Sequence, residues 1–172
     1  MKKGYALAGS TTKKALLRRF DRETLQGYVN PVSFLQPGGV ELLSADGNVS
    51  LVPYPEIKSI AFVREFDAPA GLERRTFQTR PKVAGLWVSL LFRDGETLEG
   101  VMPNNLLQIE HRGFTIIPPD SASNQQRIFV PRAALTEVQV LGVIGSPLNR
   151  RKPKPASKEQ IGLFEDSSGA NE

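Results

Sequence analysis

The chain has no cysteine and only one histidine, His111, in 172 residues. Without thiols there is no disulfide, no thiolate metal site and no cysteine nucleophile. A lone histidine excludes multi-histidine metal sites and leaves a Ser-His-Asp triad little to stand on. No apolar run approaches the ~20 residues of a membrane-spanning helix, so no membrane association is expected. Helical periodicity nowhere lasts more than about two turns. After Met1-Lys2-Lys3, the stretch from Gly4 to Ser10 is too short for the apolar region of a secretion signal, and the expected location is the cytoplasm. There is no Gly-rich phosphate loop, and Gly38-Gly39 reads as a turn before a strand. No cofactor is expected.

Turn formers, by contrast, are plentiful. Fifteen glycines and thirteen prolines argue for short strands joined by many turns. Charge is uneven behind a net +4. Residues 1–22 hold seven basic groups against Asp21 alone, for +6, whereas residues 23–145 sum to −3 and residues 146–172 to +1. Basic ends on a mildly acidic middle suit an anionic partner. The candidate phosphate contacts are Lys13, Lys14, Arg18 and Arg19 at one end and Arg150, Arg151, Lys152 and Lys154 at the other.

The chain also contains itself twice. Glu23-Thr24-Leu25-Gln26-Gly27 recurs as Glu96-Thr97-Leu98-Glu99-Gly100, 73 positions on. Gly39 to Leu43 matches Gly113 to Ile117 at an offset of 74, and Ile57 to Phe62 matches Leu135 to Val140 at 78. The growth in offset falls in Pro118 to Gln126, a stretch of loop composition, which is where a duplicated fold tolerates insertion. Each copy reads as five short strands, predicted in the second at 86–93, 97–103, 112–118, 127–131 and 135–142. Arg93-Asp94-Gly95-Glu96 is a hairpin signal, while Asp21-Arg22 predicts a tighter first turn. In the final strand Leu135, Val138 and Val140 are expected to face inward, opposite Thr136, Glu137 and Gln139. Leu86, Trp87, Val88, Leu90, Leu91, Phe92 and Phe114 are the expected second core. A strand is also predicted at Thr76-Phe77-Gln78-Thr79.

These units resemble the Sm-like small barrels. Leu25-Gln26-Gly27 and Leu98-Glu99-Gly100 are similar to that family's first motif. Leu51 to Ile57 and Ile128 to Leu135 are similar to its second. The resemblance implies an all-β chain of two tandem five-stranded barrels. The expected division is a basic segment at 1–14, barrels at 15–66 and 85–145, a connector at 67–84 and a disordered tail at 146–172. Members of the family, Hfq among them, bind single-stranded RNA in rings, so the resemblance implies RNA as partner, no catalytic role and a possible homo-oligomer. The chain departs from the family in having Asn30-Pro31 and Asn104-Asn105 where an Asp-x-Asn pattern is usual, and Pro55-Glu56 where Hfq has Lys-His.

Two further patterns offer alternatives. Gln160-Ile161-Gly162-Leu163-Phe164 is the one apolar cluster in a polar tail and resembles the pentapeptide that docks on the sliding clamp. There Gln160, Ile161, Leu163 and Phe164 would bind a protein partner, making the chain an adaptor. Arg18 to Arg22 with Asn48-Val49-Ser50 resembles the PilZ signature for cyclic di-GMP, with Pro53 in place of its glycine. Asp94, Glu96 and Glu99 imitate an acid pair, but their spacing reads as solvent-facing.

Overall fold

The computed structural model describes residues 12–68, 73–122 and 124–145. Two antiparallel hairpins of matching length set its frame. β1 (Lys13–Arg19) turns into β2 (Thr24–Val29), and, in the second half, β7 (Gly85–Phe92) turns into β8 (Thr97–Met102). Both turns close in one way. Phe92 N donates to Glu96 O at 2.8 Å and Gly95 N to Phe92 O at 3.0 Å, while Arg19 N donates to Glu23 O at 2.9 Å and Arg22 N to Arg19 O at 3.3 Å. In each, an aspartate (Asp21, Asp94) accepts from the N–H two residues on. The expected tighter first turn is therefore corrected: the turns are equal in length. Gly95 sits at φ 83° in the second, and Arg22 takes that left-handed place at φ 71° in the first.

The first half continues through β3 (Leu35–Gln36), β4 (Gly39–Leu43), β5 (Val49–Pro53), a 3₁₀ turn at Tyr54–Glu56 and β6 (Ile57–Val63). The second continues through a 3₁₀ turn at Leu106–Gln108, β9 (Gly113–Ile116), β10 (Gln125–Pro131), a 3₁₀ turn at Arg132–Ala134 and β11 (Leu135–Ile144). Among the described residues the fold is all-β, and none of its helices is long and apolar enough to cross a membrane. An eight-stranded curled sheet runs β3-β4-β2-β1-β6-β10-β9 with β5 on β4, and a three-stranded sheet runs β11-β7-β8. A bridge between Val101 and Ile117 joins them. In each half the last strand lies antiparallel beside the first, β6 on β1 and β11 on β7. β10 then pairs with β6 across the halves.

Two cores result, with β6 and β10 as their shared wall. Ala15, Leu17, Val29, Val40, Leu42 and Ile57 gather in the first, and Val88, Leu90, Phe92, Met102 and Ile116 in the second. Successive residues of a strand point to opposite faces, so Ile60 serves the first core and Ala61 the second, while Phe129 enters the first between Ile128 and Val130 of the second. The Leu-x-Gly pairs have a steric cause. A Cβ on Gly27 would stand 2.6 Å from the Leu43 carbonyl oxygen, and one on Gly100 2.5 Å from Ile116 Cδ1.

Three expectations are corrected here. Trp87 and Leu91 lie half-buried on the face away from Val88, Leu90 and Phe92, because the continuous apolar run conceals a period of two. Phe77 makes no strand; its ring instead meets Trp87 edge-to-face at 6.2 Å, while Leu86 and Phe114 pack at the second core's margin. β11 does not bury Val138 or Val140, since its register shifts twice along β7 and its outer side is open.

Candidate functional site

Both hairpin turns line one cleft of about 380 Å³. Arg18 and Arg19 end β1, Arg22 stands in the first turn, Lys58 begins β6, and the connector adds Arg74 and Arg75. Six cations thus meet three carboxylates, Glu73, Glu96 and Asp120.

Most of these cations are already engaged. Arg18 Nη2 donates to both Glu73 oxygens, at 2.6 and 2.7 Å, and the Gln125 amide donates to the same carboxylate. Arg19 is held by Glu23 and by Glu56 at 2.7 Å, yet its Nε is buried with no hydrogen-bond partner among the described residues. Lys58 bridges Asp94 and Glu96, and Arg75 reaches Glu96 at 2.7 Å. Outside the lining, the Arg93 guanidinium lies 3.8 Å from the centre of the Phe20 ring, a cation–π contact. Arg22 and Arg74 make no side-chain hydrogen bond or ion pair with any described residue. They are the cations open to an incoming anion.

The sequence-based assignments divide accordingly. Arg18 and Arg19 enter the cleft, but Lys13 and Lys14 lie at the other end of β1, about 13–20 Å away at about 3.3 Å per residue. There Lys14 pairs with Glu65 at 2.7 Å. Arg150, Arg151, Lys152, Lys154, Gln160, Ile161, Leu163 and Phe164 lie outside the described residues. Sequence reasoning missed Lys58, Arg74 and Arg75, which come from separate segments and share no spacing signal. Arg22 had one: it closes the run that starts at Arg18. The two halves of the cyclic di-GMP-like pattern are not brought together. Ser50 is level with Leu42, whose neighbour Leu43 pairs with Tyr28 opposite Lys14, the far end of β1 from Arg22. Of the three acids weighed as a pair, Asp94 and Glu96 hold Lys58, and Glu99 accepts from Trp87 Nε1 at 3.1 Å and Phe77 N at 3.0 Å. No group of three or more His, Asp or Glu side chains is placed to hold a metal ion among the described residues.

The Lys58 hydrogen bond holds the Glu96 carboxyl below its ordinary 4.5, against partial desolvation and with help from Arg75. Its folded-state value lies below the unfolded one, so the bridge stabilises fully above about pH 4.5 and is lost as pH falls through the depressed value. Urea midpoints at pH 7 and pH 3 should therefore differ more for the wild type than for Lys58→Met. Equal pH sensitivity in the two would refute the bridge.

A left-handed arginine costs free energy that glycine does not. Arg22→Gly is expected to raise stability by about 0.5–1 kcal/mol, relief of strain outweighing the looser unfolded chain. Thermal unfolding reads this directly, and a loss of stability would mean the Arg22 side chain makes contacts of its own.

A family model described as a family of unknown function (DUF6982) matches residues 11–142. No curated protein and no solved structure matches.

Proposed function

We propose, for a chain that belongs to the family of unknown function DUF6982, a non-catalytic module that binds single-stranded RNA by its phosphates. On this reading the fold is two tandem five-stranded Sm-like barrels, β1-β2-β4-β5-β6 and β7-β8-β9-β10-β11. What supports it is the matching hairpin turn, the 3₁₀ turn before each final strand, and the final strand lying beside the first in both halves.

The observation that carries the functional reading is Arg22. A strained backbone at a cleft persists only where the rest of the fold over-determines it, and such residues cluster at binding sites. Here the strain holds a guanidinium on the lining of a cleft that Arg74 shares, and among the described residues neither has a side-chain partner. A guanidinium fork matches phosphate oxygens in shape and charge. Among the described residues that line the cleft Phe92 is the one aromatic, so stacking on bases contributes little and the contact is to the backbone.

The test is fluorescence anisotropy of labelled oligouridylate and oligoadenylate with the full chain across a salt series. Two open cations predict a log–log slope of about −1.4 or steeper, the same for both sequences. A flat salt dependence, or no binding, would sink the reading. No observation favours the cyclic di-GMP reading over this one, and the docking tail lies outside the described residues.

A further inference from the structure

The cleft already holds an anion, and it is the chain's own. Arg18 Nη2 donates to both oxygens of Glu73, at 2.6 and 2.7 Å, and the Gln125 amide donates to the same carboxylate. Gln125 is only 8% exposed, a buried amide aimed at a side chain that stands 52% in solvent. Both donors sit at breaks in the sheet. The β1–β6 register shifts between Arg18 and Arg19, and the β10–β6 register between Gln125 and Arg127. Such bulges re-aim side chains and gather beside binding sites.

The duplicated frame does not require this pair of donors. The 73-residue offset sets Leu91 against Arg18, and Gln125 lies in Pro118 to Gln126, the stretch where the second half has grown. Nor does Glu73 match the guanidinium well. A carboxylate fitted to arginine takes two nitrogens in a fork, whereas Glu73 engages Nη2 alone and leaves Nη1 and Nε without a partner among the described residues. Exposed ion pairs of this kind add little to stability, so a better anion can take the place by a turn of the Glu73 side chain.

What makes an anion better is its charge and its number of oxygens. An internal phosphodiester carries one negative charge and two free oxygens, which is what Glu73 already offers. A terminal phosphomonoester carries nearly two charges at pH 7 and three free oxygens. It can use Arg18 and Gln125 alongside the open Arg22 and Arg74 that share the lining. A cleft of about 380 Å³ is the size of a small-molecule pocket, with room for the end of a strand rather than its middle.

We propose that Arg18 and Gln125 form a subsite for a terminal phosphate of RNA, and that Glu73, its resident competitor, turns internal phosphodiesters away. The inference rests on the phosphate-binding reading of the cleft and adds which phosphate the cleft selects.

Calorimetric titration of the full chain tests it, with oligouridylates of one length that carry a 5′-phosphate, a 3′-phosphate or hydroxyls at both ends. The wild type should bind one of the phosphorylated strands at least about 10-fold more tightly than the hydroxyl-ended one, and the tighter arm tells which end enters. Glu73→Gln opens Arg18 to either kind of phosphate, so the hydroxyl-ended strand should gain about 10-fold and the preference should largely vanish. Glu73→Gln with Arg18→Gln removes the pair together, leaves no carboxylate without a partner, and should bind all three strands with one weak affinity. Unfolding midpoints of both variants should match the wild type, because the pair lies at the surface. Equal wild-type affinity for the three strands overturns the subsite and leaves the RNA reading standing. A Glu73→Gln chain that gains equally for all three overturns it too, because the carboxylate then acts through net charge alone. Uridine 5′-monophosphate is the last arm. Binding of it that the double variant loses, with no strand bound, keeps the subsite and ends the RNA reading; no binding of monophosphate or strand ends both.

Discussion

Phe129→Ala should cost about 3–5 kcal/mol, the largest effect expected of any single truncation in this chain. Phe129 is fully buried, and its ring meets Phe34 edge-to-face at 5.5 Å. It comes from the second half and fills the core of the first. A cavity there has little room to collapse, because the ring lies against the space a Cβ on Gly113 would take, 2.6 Å from Phe129 Cζ. The aromatic pair adds about 1 kcal/mol beyond burial. Against a total stability of about 5–15 kcal/mol for an ordinary domain, the variant should be near the limit of folding. Phe129→Leu keeps most of the volume and should lose far less. Because β6 and β10 wall both cores, urea should unfold the halves in one transition, with the Phe129→Ala midpoint well below the wild type. A shift worth less than about 1 kcal/mol, or a separate transition for each half, would contradict the shared wall.

The second large effect concerns binding. Arg22→Glu with Arg74→Glu removes the two cations of the cleft that no described carboxylate holds. Hydrogen bonds to charged groups are worth about 1.5–3 kcal/mol each, so RNA affinity should fall at least about 100-fold at low salt. The fold should not suffer, since neither side chain bonds to a described residue. Arg18 and Arg19 make poorer tests. Arg18 is tied to Glu73 and Arg19 to Glu23 and Glu56, so replacing either leaves carboxylates without partners. Loss of binding there would mix contact with structure.

Much of the architecture was readable where local chemistry is explicit. Asp94-Gly95 announces its hairpin, the repeated Leu-x-Gly marks where the second strand of each half presses on the third, and Pro118 to Gln126 announces an irregular connection. All five strands predicted in the second half start within two residues of those observed. The failures share a cause, which is that tertiary context decides them. Asp21-Arg22 hid a turn equal to the second because an arginine occupies the glycine position. The run from Leu86 to Phe92 hid the outward face of Trp87 because both faces are apolar. β11 reads as half-buried, yet among the described residues no strand covers its outer edge and Val138, Val140, Leu141 and Val143 stay exposed. The two-residue β3 carries no pattern of its own. The cleft was the least legible feature. Its cations come from β1, a turn, β6 and the connector, and only the packing of the two sheets, with the connector held by Glu99 N donating to Arg75 O, brings Lys58 and Arg75 to one carboxylate, Glu96.

The account stands on the claim that the arginine cleft, and no other basic surface, holds the phosphates. The most direct measurement is the salt slope of oligouridylate binding for the wild type and for the Arg22→Glu, Arg74→Glu chain, side by side. The account predicts that the slope of the double variant is shallower by about 1.4, two phosphate contacts at 0.7 each, together with the fall in affinity. Equal slopes and affinities would place the phosphates on Lys13, Lys14 or the residues beyond 145, and the cleft would lose its role.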